Sequence, residues 1–324
     1  MRELADMARL GVPPLREGGP GGRTAVLARP VTERGFGPRR PADALLIDAD
    51  GTCHGTLYGG AFDRQLAAEA AALPPGHTAR VCAVSVHEDG VKEAGLTCGG
   101  QAEILLQPLP AVPARWWQLL AAGADAALIT WLDERRVRAV STVVTPGPPP
   151  DDPDLPPQAA ARARDLLARH RADREVHSTD AGLVLIETCP AVPRLVIVGG
   201  GELAELLVAQ AELLGWGATV TAAARDAAEL LAERPAATCL IMLSHEPDVD
   251  VPTLHTALTS GLPYVGALGS RRTQERRATG LVEAGLNDEL LGRIHGPIGL
   301  DIGARTPTET ALAICAEVLS ALDR

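Results

Sequence analysis

Four consecutive apolar residues, Leu195–Val198, run straight into three glycines, Gly199–Gly201. Next comes a segment, Glu202–Leu214, whose Leu203, Leu206, Leu207, Gln210 and Leu214 recur at helical spacing. Strand, glycine turn, helix is the opening of a βαβ unit, because parallel strands need a crossover that is usually helical. The rhythm then repeats. Strands are predicted at Ala218–Ala222, Thr238–Leu243 and Tyr264–Leu268, and helices at Ala227–Glu233, from an Asp250 cap to Ser260 with Pro252 in the first turn, and from a Ser270 cap to about Ala284. Thr306-Pro307-Thr308-Glu309 combines a capping box with proline at the first helical position. It starts a last helix with Ala311, Ile314, Cys315, Val318 and Leu322 on one face. This alternation predicts an α/β fold with a Rossmann-like, doubly wound parallel sheet in residues 194–324.

Upstream the pattern changes. Thr145–Pro157 reads TPGPPPDDPDLPP, which suits neither a helix nor a central strand. Residues 145–193 are therefore expected to be a proline-rich linker and connecting segment, holding a helix at Ala159–His170 and a strand at Leu183–Thr188. Residues 1–144 are mostly short strands: Thr24–Val31, Asp43–Asp48, a return over Thr52–Leu57 after the Asp50-Gly51 turn, Ala79–Val86, Ala102–Leu106, Ala126–Trp131 and Val137–Val144. Helices are expected from Gly59-Gly60 to Leu73 and over Pro113–Ala122. This half reads as an α+β domain.

Charge narrows the function. Thirty basic against forty-one acidic side chains leave a net charge of −11, which argues against nucleic acid and anionic membrane surfaces as partners. No apolar run reaches the ~20 residues of a bilayer span. Met1–Leu10 carries Glu3 and Asp6 where a secretion signal would be uninterrupted, so a cytoplasmic location is expected. The six cysteines form no CxxC pair and no zinc-ligand spacing.

Four segments carry candidate chemistry. Gly199-Gly200-Gly201 with Ala204 fits G-x-G-x-x-A, a turn that presents free N–H groups to a phosphate; the alternative is a turn kept for packing. Ser270-Arg271-Arg272 opens a helix with two guanidinium groups suited to a phosphate, or with the start of a solvated basic face. His295 and Asp301 lie in a glycine-rich stretch, Arg293–Ala304, that is neither helix nor simple strand. Cys98, beside Gly99 and Gly100, is a thiol in a turn, a nucleophile or soft ligand if exposed and a small core residue if not. A dinucleotide site would also want an acid at the tip of the second strand, where Ala224 stands; Arg225 beside it suits a phosphate better than a ribose diol.

YVGALGSRRT (Tyr264–Thr273) and RIHGPIGLDIGARTPTETALAICAEVL (Arg293–Leu319) closely resemble the C-terminal signatures of the XdhC/CoxI proteins, accessory factors of xanthine dehydrogenase and related molybdenum hydroxylases. GLTCGGQAEILLQPL (Gly95–Leu109), RLVIVGGGELAELL (Arg194–Leu207) and LSHEPDVD (Leu243–Asp250) resemble further segments of that family. The resemblance implies binding of the molybdenum cofactor, a pterin dithiolene with a terminal phosphate. It also implies presentation of that cofactor to a cysteine desulfurase and delivery to an apo-hydroxylase, without turnover, by a homodimer. On this reading Gly59, Gly60, Asp63, Cys98, Gly99, Gly100, Gly199, Gly200, Gly201, Arg225, His245, Ser270, Arg271, Arg272, His295 and Asp301 would hold the cofactor, with Cys98 as the soft ligand of the metal. The chain departs from the family pattern at three places. Ala61 stands where a cysteine follows the double glycine, Glu202 where the glycine turn carries a histidine, and Ala224 where an acid is usual.

Two other readings stay open. An NAD(P)-dependent oxidoreductase would use Arg225 for a 2′-phosphate and His245 or His295 as proton donor. A paralogue that has lost its ligand would act as an interaction partner only.

Overall fold

The computed structural model describes residues 24–36, 43–87, 91, 96, 98–147, 156–169 and 172–322. The chain divides into two compact units at Ala191/Val192.

The first unit is built from two antiparallel sheets. One, ordered β3-β2-β1-β5-β4, comprises β1 (Val26–Gly35), β2 (Leu45–Ile47), β3 (Cys53–Gly55), β4 (Arg80–Val86) and β5 (Gly100–Pro108). The other, ordered β7-β6-β9-β8, comprises β6 (Ala126–Asp133), β7 (Ala139–Val144), β8 (Arg174–Thr179) and β9 (Gly182–Cys189). The period of two along β1 sorts its residues. Val26 and Ala28 pack with Leu66 of helix α1 (Asp63–Ala71), whereas Ala25 and Leu27 pack with Leu128 and Val143 of the second sheet and Trp116 of α2 (Ala114–Ala121). The far face of the second sheet is covered by Ala160, Ala163, Leu166 and Leu167 of α3 (Pro157–Leu167).

Arg29 follows Leu27 on the inner face and is fully buried. Its guanidinium donates to the Glu187 carboxylate and the Gln107 amide oxygen. Glu187 also accepts from Arg174 Nε at 3.2 Å, and Arg174 lies 3.6 Å from Glu33. Burial is the main influence on Arg29 and lowers its pKa, against the Glu187 charge, which raises it. A buried charge is tolerated only when it is paired in this way.

The connecting segment expected at 145–193 supplies structure to the second sheet. From Pro157 onward it contributes α3, β8 and β9, and β9 pairs along the whole of β6. Strand β8 was not foreseen. It is a polar sheet edge, and its alternation in REVHST is too weakly apolar to register. Most of the proline run, 148–155, lies outside the described residues, as do Gly95 and Thr97 of the Cys98 segment.

The second unit is the doubly wound fold expected of it. Five parallel strands, β10 (Arg194–Val198), β11 (Gly217–Thr221), β12 (Thr238–Met242), β13 (Tyr264–Ala267) and β14 (Ile294–His295), run in the order β11-β10-β12-β13-β14. Leu195, Ile197, Cys239 and Ile241 face α4 (Glu202–Leu213) and α9 (Pro307–Leu322). Val196, Val198, Leu240 and Met242 face α5 (Ala224–Glu233), α6 (Pro247–Thr259) and α7 (Arg271–Glu283), and Leu290 and Leu291 of the short α8 (Asp288–Leu291) pack against the same cluster. Both faces of the sheet centre are covered, which is why β10 and β12 read as near-continuous apolar runs, while edge strand β11 (GATVT) stays partly exposed. One helix start needs correcting. Helix α6 begins at Pro247, and Asp250 is not its cap but a fully buried residue of its first turn, paired with Arg277 at 2.8 Å.

Candidate functional site: the carboxyl edge of the parallel sheet

Ligands of open α/β sheets bind outside the carboxyl ends of the strands, where the strand order reverses. In this sheet the reversal falls between β10 and β12. The turn after β10 and the loop after β12 are locked together there. The amides of Leu243 and Ser244 both donate to the Val198 carbonyl, at 2.8 and 2.9 Å. Gly199, at φ +115°, lies so close that a Cβ on it would stand 2.8 Å from the Ser244 nitrogen. Gly200 and Gly201 face open space, and Gly201, at φ +91°, caps α4 without any side-chain hydrogen bond. The first N–H groups of α4 are therefore offered outward by backbone alone.

Arg277 ties the next loop to this one. It is 2% exposed, and its guanidinium donates to Asp250 Oδ2, to the Leu268 carbonyl at 2.7 Å and to the Ser244 carbonyl at 2.5 Å. One buried side chain thus sets the loop after β12 against the loop after β13. Arg276 adds a bond to the His245 carbonyl at 2.8 Å, while the His245 side chain is exposed.

Ser270 caps α7, its hydroxyl accepting from the Thr273 amide at 3.3 Å, as its position predicts. Arg271 and Arg272 follow on the exposed first turn, and neither has an ion-pair partner among the described residues. Strands β10 and β13 are separated by β12, so the glycine turn and this arginine pair stand two strand spacings apart, roughly 10 Å.

His295 ends β14 at the same edge. Its Nδ1 lies 3.1 Å from Glu317 Oε1 on α9, and its ring leans on Tyr264 with 4.6 Å between centroids. Asp301 lies beyond it on an exposed loop. Arg225 is at the start of α5, 88% exposed and paired with Glu229. No acid ends β11, whose last residue is Thr221, so the geometry adds nothing for a nicotinamide dinucleotide.

The first unit gathers the other expected residues. Tyr58, Gly59 and Gly60 are three successive left-handed residues (φ +51°, +62° and +85°) that lead into α1, whose first residue is Asp63. Burial raises the Asp63 carboxyl. Across from this turn, the Phe36 amide donates to the Gly99 carbonyl at 3.0 Å, and Gly35 pairs with Gly100. A Cβ on Gly100 would stand 2.7 Å from the Phe36 nitrogen, so this approach requires glycine. The Phe36 ring is 4.3 Å from that of Tyr58, and Phe62 meets both edge-on at 5.8 Å. Phe36 therefore links the Gly59-Gly60 turn to the Cys98–Gly100 turn, and Cys98 is exposed. Cys53 approaches the Asp63 carbonyl at 4.0 Å, and burial pushes its thiol up.

Several residues of these sites escape a reading of the sequence. Glu317 hides inside the apolar face of the last helix, where a lone carboxylate among buried positions is the available signal. Arg277 reads as one more arginine of a basic run. Phe36 and Tyr58 flank glycines in a chain with only two phenylalanines and two tyrosines.

Comparison with known proteins places this architecture. The XdhC Rossmann domain model matches residues 195–318, and the XdhC and CoxI family model matches residues 21–84. The uncharacterized protein YqeB of Escherichia coli K12 is 30% identical over 175 residues, 47% of this chain and 32% of YqeB. The molybdenum cofactor insertion chaperone PaoD of the same organism is 37% identical over 83 residues, 26% of each protein. The matches thus span about a third or less of these curated relatives' length. A Bacillus halodurans protein described as a xanthine dehydrogenase shares the fold with a TM-score of 0.61 at 20% identity, covering 99% of this chain and 95% of that one. With both of its characteristic parts matched, the chain belongs to the XdhC and CoxI family.

Proposed function

We propose that this protein binds the molybdenum cofactor as cargo and delivers it to a molybdenum hydroxylase apo-enzyme without transforming it. The observation that carries the reading is the preorganised carboxyl edge of the second unit. The free amides of the α4 start after Gly201, and Arg271 and Arg272, which have no ion-pair partner among the described residues, are exposed on loops that Arg277 and the Val198 carbonyl hold in place. Hydrogen-bond donors of this kind fit the phosphate end of such a cargo. Likeness to PaoD, an insertion chaperone for that cofactor, supports the same class.

The finer steps belong to the same proposal. Cys98, exposed beside Gly99 and Gly100, is the soft ligand for the metal, and Gly59, Gly60 and Asp63 line the turn linked to it through Phe36. A cysteine desulfurase acts on the bound cofactor before release, and the protein works as a homodimer in the cytoplasm. No described helix is long and apolar enough to cross a membrane.

The test is stoichiometric loading. Purified protein incubated with a molybdopterin source and desalted is expected to carry molybdenum and pterin in equal amounts and to activate an apo-hydroxylase. The Arg271→Ala/Arg272→Ala double variant is expected to lose pterin and molybdenum together, and Cys98→Ala to lose molybdenum first. Retention of full loading by all three substitutions combined overturns the site, and no loading of the wild-type chain overturns the function.

A further inference from the structure

At the carboxyl edge of the second unit the free helix N–H groups after Gly201 and the guanidinium groups of Arg271 and Arg272 are hydrogen-bond donors. His295 differs. Its Nδ1 faces Glu317 Oε1 at 3.1 Å, while Glu317 Oε2 accepts from the Tyr264 hydroxyl at 2.5 Å and from the Gly299 amide at 2.8 Å. Both carboxylate oxygens are thus engaged by donors from β13, β14 and the loop after it. Desolvation pushes the Glu317 carboxyl up, but the bonds from Tyr264, Gly299 and His295 outweigh it and hold its pKa below the ordinary value. A carboxylate only accepts, so Nδ1 carries a proton, and in the neutral imidazole this leaves Nε2 as the acceptor.

The surroundings hold this arrangement. The Tyr264 ring backs the imidazole, and Gly266 is a glycine because a Cβ there would stand 2.6 Å from both the Tyr264 hydroxyl and Ile298. Nε2 has no partner among the described residues, and 30% of the side chain's surface remains accessible.

We propose that His295 Nε2 is a fixed hydrogen-bond acceptor for the N–H edge of a heterocyclic ligand, and that Glu317 is the positioning residue that sets its tautomer. This deepens the proposed function and rests on it: the arginine pair takes the phosphate end of the cargo, and His295 takes the amine- and amide-bearing edge of its pterin. The pairing resembles the carboxylate–histidine arrangements that orient metal-binding imidazoles, here serving a ligand N–H.

The test uses the full chain, with pterin and pyrophosphate as separate probes. In protein labelled with 15N-histidine, long-range proton–nitrogen spectra are expected to show His295 protonated at Nδ1. Glu317→Gln places an amide donor beside Nδ1 and is expected to move the proton to Nε2. Glu317→Gln and His295→Phe, which keeps a ring against Tyr264, are each expected to weaken pterin binding about tenfold and to leave pyrophosphate binding unchanged. If Glu317→Gln fails to fold, His295→Phe decides. Undiminished pterin binding in His295→Phe, or an Nε2–H tautomer in the wild type, overturns the assignment even where pyrophosphate binds. Pyrophosphate binding that survives loss of Arg271 and Arg272 counts instead against the phosphate site, and leaves the tautomer result standing.

Discussion

Three adjacent glycines should respond to alanine in three different ways, and the structure gives the order. Gly199→Ala meets two obstacles. Its φ of +115° is one that a Cβ opposes, and the new carbon would lie 2.8 Å from the Ser244 nitrogen and 3.0 Å from the Leu243 carbonyl carbon. Both neighbours are backbone, fixed by their bonds to Val198, so they cannot step aside as a side chain would. Strain of about 1–2 kcal/mol from the dihedral adds to about 1–3 kcal/mol from overpacking. Gly201→Ala meets only the first obstacle, since its φ is +91° but nothing lies within 4 Å, and should cost about 1–2 kcal/mol. Gly200 has neither and should tolerate alanine, gaining up to about 0.4–1 kcal/mol through a less flexible unfolded chain. Urea unfolding followed by the fluorescence of Trp216, buried in this unit, reads the series. Pyrophosphate titration of the same variants reads the site, and Gly200→Ala should weaken binding while leaving stability intact. Equal destabilisation by all three, or Gly200→Ala as the worst, would refute the account of which glycine packs and which faces the ligand.

Glu187→Gln removes the carboxylate shared by Arg29 and Arg174 and should cost about 3–5 kcal/mol in urea unfolding, most of it recovered when Arg29→Met and Glu187→Leu are combined; a loss below about 1 kcal/mol would show the pair to be dispensable. Ellman's reagent at pH 8 should react first with exposed Cys98 and more slowly with Cys53. Cys82, Cys239 and Cys315, whose thiols burial pushes up to about 11, 12 and 11, and buried Cys189 should react only on unfolding, and Cys98→Ser should abolish the fast phase. Glu309 is held below the ordinary glutamate range by the backbone N–H groups of Arg305 and Thr306, so its contribution to stability is full above about pH 4.3 and is lost as pH falls through the folded-state value. Glu309→Gln should flatten that acid limb of the unfolding curve, and an unchanged slope would remove the capping box from the explanation. Glu202→Gln removes a negative charge from the first turn of α4 and should strengthen pyrophosphate binding roughly two- to fivefold; weaker binding would place the anion elsewhere.

The second unit was largely legible because each of its signals is local. The strand runs, the Ser270 cap and the Thr306–Glu309 box are read within a few residues, and all three stand where the spacing puts them. Asp250 misled because a cap and a buried acid look alike until Arg277, 27 residues on, is placed beside it. The first unit was harder for the same reason: its second sheet pairs β6 with β9 across the proline run, and Arg29 finds Glu187 at a separation of 158 residues. Such contacts leave no periodic trace in a single sequence.

The departures at Glu202, Ala224 and Ala61 bear on the two units differently. At the parallel sheet the proposed recognising groups are backbone amides and two arginines, and the geometry that presents them comes from Gly199, Gly201 and the buried Arg277. Glu202 tunes the charge there and Ala224 removes a contact, yet neither touches the bonds that hold the loops. In the first unit the turn survives around Ala61, with Tyr58, Gly59 and Gly60 left-handed and Asp63 opening α1, so a backbone shape persists where a side-chain function does not. In the proposed function, thiol chemistry at that turn then falls to Cys53 or Cys98. Cys53 is half-buried, and burial, with Asp63 beside it, raises its thiol and disfavours the thiolate, so the proposed soft ligand falls to the exposed Cys98, linked to the turn through Phe36.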